Sequence, residues 1–88
     1  MSDHTLYIEM NPSSDVMERV LRVTRHRGFT VANMQMQADT QSQQLLVTVR
    51  SQRPISQLTR QLDKLIDVYS CHLQLEQQQT ESSSARQA

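Results

Sequence analysis

The chain has 88 residues, with nine basic and nine acidic side chains and therefore a formal net charge of zero. This length supports a single small domain, and the balanced charge gives no overall field to attract nucleic acid or an anionic membrane. No apolar run approaches the roughly 18–20 residues of a membrane-spanning helix, and the N-terminus lacks the basic and apolar regions of a secretory signal.

The first third of the chain predicts a strand, a helix and a sharp joint. Apolar and polar residues alternate over residues 5–10, which is typical of a half-buried strand, and Asn11-Pro12-Ser13-Ser14 ends it. Residues 15–27 predict a helix, because their apolar side chains share one arc and their charged side chains the opposite arc. Gly28, the only glycine in the chain, ends this helix immediately before the next strand.

The middle of the chain predicts an antiparallel hairpin. The first of its strands covers residues 29–37 and the second covers residues 44–51. The apolar positions change phase between Val31 and Met34, which predicts a bulge near Ala32-Asn33. The short polar connection between the strands favours hairpin pairing.

The last third predicts a second helix over residues 55–66, with Ile66 on its apolar face, and a final strand over residues 67–75. The order is βαββαβ, so the predicted fold is α+β and ferredoxin-like, a four-stranded antiparallel sheet with both helices on one face. Residues 1–75 form the predicted domain, and residues 76–88 form a polar tail that we expect to be disordered. The other sheet face is left without a helix, which favours recruitment of a second copy or a partner.

The residues that could carry chemistry do not form a recognisable site. His4, His26 and His72 share no motif with a nucleophile, so no catalytic residue is predicted. Met34 and Met36 are better explained as core residues than as metal ligands, and a single glycine cannot build a phosphate-binding loop. Cys71 is the only cysteine, which fits a reducing cytoplasm and predicts neither a disulfide nor a metal site.

One face of the first helix is basic, with Arg19, Arg22, Arg25 and His26. A solvated helix face, a docking patch for an acidic protein and an RNA-binding surface all remain open. RNA binding is the least favoured of the three, because ferredoxin-like RNA-binding proteins stack bases on aromatic residues of the sheet. Only Tyr7, Phe29 and Tyr69 are aromatic, and we expect Phe29 in the core.

Several segments resemble the small regulatory subunit of acetohydroxyacid synthase (acetolactate synthase), particularly the short isozyme II type. These segments are Glu18-Arg19-Val20-Leu21-Arg22-Val23, Arg25-His26-Arg27-Gly28-Phe29 and Gln61-Leu62-Asp63-Lys64-Leu65-Ile66-Asp67-Val68. The resemblance covers roughly residues 5–75 and implies an ACT domain, which agrees with the topology expected from periodicity.

The resemblance also implies a function and a partner. The chain would be a non-catalytic activator in valine, leucine and isoleucine biosynthesis and would hold no cofactor. Its partner would be the catalytic large subunit, which carries thiamine diphosphate, magnesium and FAD and condenses two pyruvates, or pyruvate with 2-ketobutyrate. Arg19, Arg22 and His26 are candidate contacts with that subunit, and a homodimer through the sheet is also expected. A cytoplasmic location follows, with no nucleic acid or membrane as partner.

Many members of the family bind valine at the turn into the first helix, at a dimer interface. The family has Pro-Gly just before this helix, whereas this chain has Ser14 and Asp15. The family asparagine after the joint's aromatic residue corresponds to Thr30, and Asn11 is offset by one residue. These departures predict weak or absent valine inhibition. The alternative functions are a free-standing amino-acid-binding module and a small RNA-binding protein.

Overall fold

The computed structural model describes residues 2–74, which form six elements. These are β1 (Ser2–Met10), α1 (Ser14–His26), β2 (Thr30–Ala38), β3 (Gln43–Ser51), α2 (Ile55–Asp63) and β4 (Val68–Gln74). The order confirms the predicted α+β, βαββαβ fold. Leu75, the predicted end of the last strand, and the predicted polar tail 76–88 lie outside the described residues.

The four strands form one antiparallel sheet in the order β2-β3-β1-β4. Its inner face carries the alternating apolar residues that the sequence predicts, and Leu6 lies opposite Val47 while Ile8 lies opposite Leu45. Both helices pack on this face through Val16, Val20, Leu58 and Leu62, which are almost fully buried. Each such aliphatic side chain contributes about 1.5–3 kcal/mol through burial.

Gly28 forms the joint between α1 and β2. The Gly28 N–H donates to Arg25 O at 3.0 Å and the Phe29 N–H donates to Thr24 O at 3.1 Å, which closes the end of the helix. Gly28 has φ +86°, a left-handed conformation that glycine adopts without steric cost. The turn brings Phe29 into the core, where 2% of the residue is exposed.

The predicted bulge in β2 is confirmed. Val31 pairs with Val49, but Asn33 pairs with Thr48, so Ala32 is an extra residue in the strand. Beyond the bulge, Met34 and Met36 lie on the inner face opposite Val47 and Leu45. They remain 40% and 47% exposed, because β2 is an edge strand that the helices cover only in part.

The second helix is shorter than predicted. It ends at Asp63, and Ile66 is 91% exposed instead of buried on the apolar face. The chain turns after the helix, where the Val68 N–H donates to Leu65 O at 3.1 Å. Leu65 packs against the core in place of Ile66, because the turn needed to start β4 rotates Ile66 towards solvent.

Within residues 2–74, no helix covers the outer face of the sheet, as the sequence predicted. One row across this face runs through Gln35, Leu46, Tyr7 and His72. In the next row, the hydroxyls of Thr5 and Thr48 are hydrogen-bonded at 3.0 Å. The outer face is therefore mainly polar, with Tyr7 and Leu46 as its apolar centre.

Candidate functional site

The loop between β1 and α1 is held by the adjoining strands and turns. The Asn11 N–H donates to Asp67 O at 2.9 Å, in the turn before β4. From the other side, Gln43 Nε2 donates to both Asn11 O and Ser13 O at 3.0 Å. Gln43 is only 5% exposed, so these bonds fix the loop from within. Gln43 belongs to no recognisable motif, although extending the inward alternation of Leu45 back by two residues places Gln43 on the same face.

Asp15 brings a carboxylate to the N-terminal end of α1. The hydroxyl of Ser13 donates to Asp15 Oδ1, and Arg19 Nη2 lies 3.6 Å from Asp15 Oδ2. The hydrogen bond from Ser13, together with one from the backbone N–H of Asp15, lowers the pKa of this carboxyl below its ordinary value. A helix N-terminus favours negative charge, and here a carboxylate of the chain itself supplies that charge.

The three candidate contact residues on α1 have different surroundings. Arg19 forms two ion pairs, at 3.6 Å to Asp15 and at 3.6 Å to Asp67, and so connects α1 to the turn before β4. Arg22 and His26 are exposed, and no carboxylate of residues 2–74 forms an ion pair with either. Arg22 and His26 are therefore the two of these three residues that are available to a partner.

Thr30 lies far from the other predicted loop positions. At one end of β3, Gln44 pairs with Glu9, at the end of β1 that leads into the loop, and with Gln37, near the end of β2. Thr30, at the start of β2, pairs with Arg50 near the other end of β3. Six residues along a strand correspond to about 20 Å at ~3.3 Å per residue. The structure thus keeps Asn11, Ser14 and Asp15 in one segment but separates them from Thr30, so the four residues do not form one compact site within the chain.

An apolar groove lies between α1 and the start of β2. Its volume is about 640 Å³, and its lining includes Leu21, Arg25, Phe29, Val31 and Met34. No pattern in the sequence predicts this groove. It forms because α1 does not reach the outer edge of β2, a property of helix placement that the periodicity of a single element does not encode.

The histidines and Cys71 do not form a reactive cluster in the described part of the chain. His72 lies opposite Tyr7 on the outer face and His4 lies opposite Val49 on the inner face, while His26 ends α1. Residues 2–74 contain no group of three or more histidine, cysteine or acidic residues that could hold a metal ion. Burial, and secondarily the charge of Asp63, raises the pKa of the Cys71 thiol to about 11. None of the described helices is long and apolar enough to cross a bilayer.

Comparison with known proteins agrees with the fold and the sequence motifs. A family model of the ACT domain matches residues 12–71. The acetolactate synthase isozyme 2 small subunit of Escherichia coli K12 is 40% identical over 88 residues, which covers 98% of this chain and 99% of that protein. The acetolactate synthase small subunit of Mycobacterium leprae is 29% identical over 96% of this chain and 49% of its own length.

The fold also matches solved structures. The ACT domain of GTP pyrophosphokinase from Chlorobium tepidum has a TM-score of 0.71 and covers 82% of this chain and 96% of its own. The sequence identity is 9%, so this likeness concerns the fold alone. It matches the arrangement of four strands and two helices described above.

Proposed function

This chain belongs to the ACT domain family and to the small subunits of acetolactate synthase isozyme 2, and from that premise we propose that it is a regulatory subunit that activates a catalytic large subunit. The observation that carries the proposal is the 40% sequence identity to the Escherichia coli small subunit, which extends over nearly the full length of both proteins. The chain then serves valine, leucine and isoleucine biosynthesis through contact with the enzyme and supplies no reacting group.

Activation of this kind requires only a modest preference for one state of the partner. A protein that binds the active conformation more tightly than the idle one shifts the equilibrium towards the active conformation. A tenfold stimulation corresponds to about 1.4 kcal/mol of differential binding. Contacts made by a few exposed side chains of a small domain are sufficient for an effect of this size.

The cofactors belong to the large subunit in this proposal. Thiamine diphosphate, magnesium and FAD would be bound there, and the condensation of two pyruvates, or of pyruvate with 2-ketobutyrate, would take place there. This chain contributes contact surface, for which Arg22 and His26 on α1 are candidates. Arg19 contributes less, because it is already paired with Asp15 and Asp67. A cytoplasmic location remains a prediction.

We also propose that two copies pair through β2. The strand has nine residues and none of them is charged, although charge is a usual protection of an exposed sheet edge. Antiparallel pairing of two β2 strands would bring together the half-exposed inner side chains of Met34 and Met36. In the same pairing, Thr30 of one chain would lie near the end of the sheet that holds Asn11 and Asp15 of the other chain.

The loop supports the proposal of weak or absent valine inhibition. Valine would present a carboxylate to the first turn of α1, where Asp15 already places one that is hydrogen-bonded to Ser13. The carboxylate of valine and the carboxylate of Asp15 would repel each other there. The carbonyls of Asn11 and Ser13 are already hydrogen-bonded to Gln43, so they are less available to the amino group of a ligand.

Co-elution tests the proposed partnership. The full chain is mixed with the catalytic large subunit of an isozyme 2 acetolactate synthase and passed over a size-exclusion column. The proposal predicts one complex that contains both proteins. Separate elution at every ratio tested removes the subunit assignment, and an amino-acid-dependent rise in melting temperature without any large partner favours the free-standing binding module.

A further inference from the structure

Among residues 2–74, basic and acidic residues concentrate at opposite ends of the sheet. One end of the sheet contains the C-terminus of α1, the end of β3 and the start of α2, and there lie Arg25, Arg27, Arg50 and Arg53. We call these four residues the arginine end. Among residues 2–74, one carboxylate, that of Asp3, accompanies them.

Most acidic residues lie at the opposite end of the sheet or in the half of α1 next to it. They are Glu9, Asp15, Glu18, Asp39, Asp63 and Asp67. This placement follows from topology, because antiparallel β1 and β3 bring the end of one strand to the start of the other. The zero net charge therefore conceals a positive excess at the arginine end and a negative excess at the other end, where Arg19, Arg60 and Lys64 offset part of the acidic charge.

Gly28 lies at the centre of the arginine end. The guanidinium of Arg53 lies against Gly28, since a Cβ built on that glycine would be 2.6 Å from Arg53 Nε. Arg27 adjoins Gly28 in sequence, and Arg25 lines the same groove as Gly28. Arg50 and Arg53 line a second cavity that also includes Gly28. The four arginines thus surround one small area of surface.

Three of these arginines have no ionic partner among residues 2–74. The ion pairs of this part of the chain join Arg19 to two aspartates and Arg50 to Asp3 at 2.8 Å. Arg25, Arg27 and Arg53 are exposed and outside these pairs. Arginine presents a planar group that binds carboxylates in bidentate geometry, so this surface suits a carboxylate-rich partner.

We propose that the arginine end docks an acidic surface of the large subunit, an inference that rests on the proposed regulatory function. Charge complementarity of this kind fixes orientation and increases the rate of encounter. The opposite end of the sheet, which holds most of the acidic residues, then faces away from the negative surface of the partner. The polarity of the domain therefore selects one orientation, which an evenly charged domain could not do.

A protein surface fits this end better than a nucleic acid does. The exposed aromatic residues of the described chain, Tyr7 and Tyr69, lie on β1 and β4 and not among the four arginines, so bases have no stacking platform there. An extended polyanion would also run past the acidic residues and be repelled. A compact acidic patch on a protein contacts the arginine end alone.

The test compares two double variants of the full chain for binding to the immobilised large subunit. Arg25→Ala with Arg27→Ala removes two unpaired charges from the arginine end. Arg60→Ala with Lys64→Ala removes two basic charges that are also outside the ion pairs, but from α2 and its C-terminus. We expect the first variant to raise Kd about tenfold or more and the control to stay within about twofold. Arg25→Lys with Arg27→Lys should recover most of the affinity, and added salt should weaken the wild type more than the first variant.

The binding experiment distinguishes failure of the docking inference from failure of the proposed function. If the wild-type chain neither binds nor stimulates the large subunit, the proposed function fails. If the wild-type chain binds and both double variants bind equally well, the docking inference alone is wrong. Melting temperatures check folding, and the separate variant Arg53→Ala repeats the test at a third position. If the arginine variants still bind the large subunit but no longer bind a labelled RNA oligonucleotide, the arginine end binds a nucleic acid and the inference is overturned.

Discussion

The guanidinium of Arg53 packs against Gly28 at the point where α1 turns into β2. A Cβ added to Gly28 would lie 2.6 Å from Arg53 Nε and 3.1 Å from Arg53 Cδ. Ser51 holds the same point, because its hydroxyl donates to Gly28 O at 2.9 Å and accepts the Arg53 N–H at 3.0 Å. This contact joins the end of the first helix to the start of the second.

Gly28→Ala should lower the free energy of unfolding by about 1–2 kcal/mol, because alanine is strained at positive φ. Urea unfolding of the wild type and the variant measures the difference. The matched control repeats the substitution in an Arg53→Ala background. An unchanged cost there shows that the backbone conformation governs the effect, whereas disappearance of the cost shows that the clash with Arg53 governs it.

Valine should leave the loop unperturbed in the wild-type chain. We expect no saturating chemical-shift change at residues 11–15 of isotope-labelled protein, because Asp15 places its own charge at the N-terminus of α1. Asp15→Gly should increase the response to valine, while Glu18→Ala, which removes a charge one turn further along α1, should not. Saturation of the wild-type shifts at low millimolar valine would contradict this explanation.

Met34→Lys should convert a dimer of this chain to monomer, because it places a charge on the uncharged β2 edge. Leu73→Lys is the matched control, since Leu73 is also 40% exposed on an inner face at a sheet edge, that of β4. Analytical ultracentrifugation distinguishes the two states. A monomer with Leu73→Lys and a dimer with Met34→Lys would assign pairing to β4 instead.

Alkylation of Cys71 should be slow at neutral pH and should accelerate as the pH approaches 11, because only the thiolate reacts and the pKa of the thiol is raised to about 11. The raised pKa also makes the free energy of unfolding depend on pH, because the folded state holds the thiol proton more tightly than the unfolded state does. The resulting stabilisation is complete below the ordinary thiol pKa of 9.0 and is lost as pH rises towards 11. Cys71→Ala should remove that part of the pH dependence. Equal alkylation rates for folded and urea-unfolded protein at pH 8 would contradict the burial of the thiol.

The elements of this fold could be predicted because each has a strong local signal. A single glycine between a basic helix end and an aromatic residue marked the joint, and the phase change before Met34 marked the bulge at Ala32. Hydrophobic periodicity identified both helices and all four strands. These signals depend on neighbours within a few residues.

The errors and omissions concern features that depend on tertiary structure. Ile66 continues the helical apolar pattern, but the turn into β4 decides its exposure. Met34 and Met36 have the pattern of core residues, yet their exposure depends on how far α1 reaches across the sheet. The ion pair between Arg19 and Asp67 joins residues 48 positions apart in sequence. No local rule reports such a contact, so the surroundings of the candidate site residues could not be predicted from the sequence.

The most direct measurement is the rate of acetolactate formation by the catalytic large subunit as increasing amounts of this chain are added. We predict a rate that rises and saturates, together with no turnover of pyruvate by the purified chain alone. The Arg25→Ala, Arg27→Ala variant should need more protein to reach the same plateau. A flat response to the wild-type chain, or pyruvate turnover by the chain without the large subunit, would contradict its role as an activating subunit.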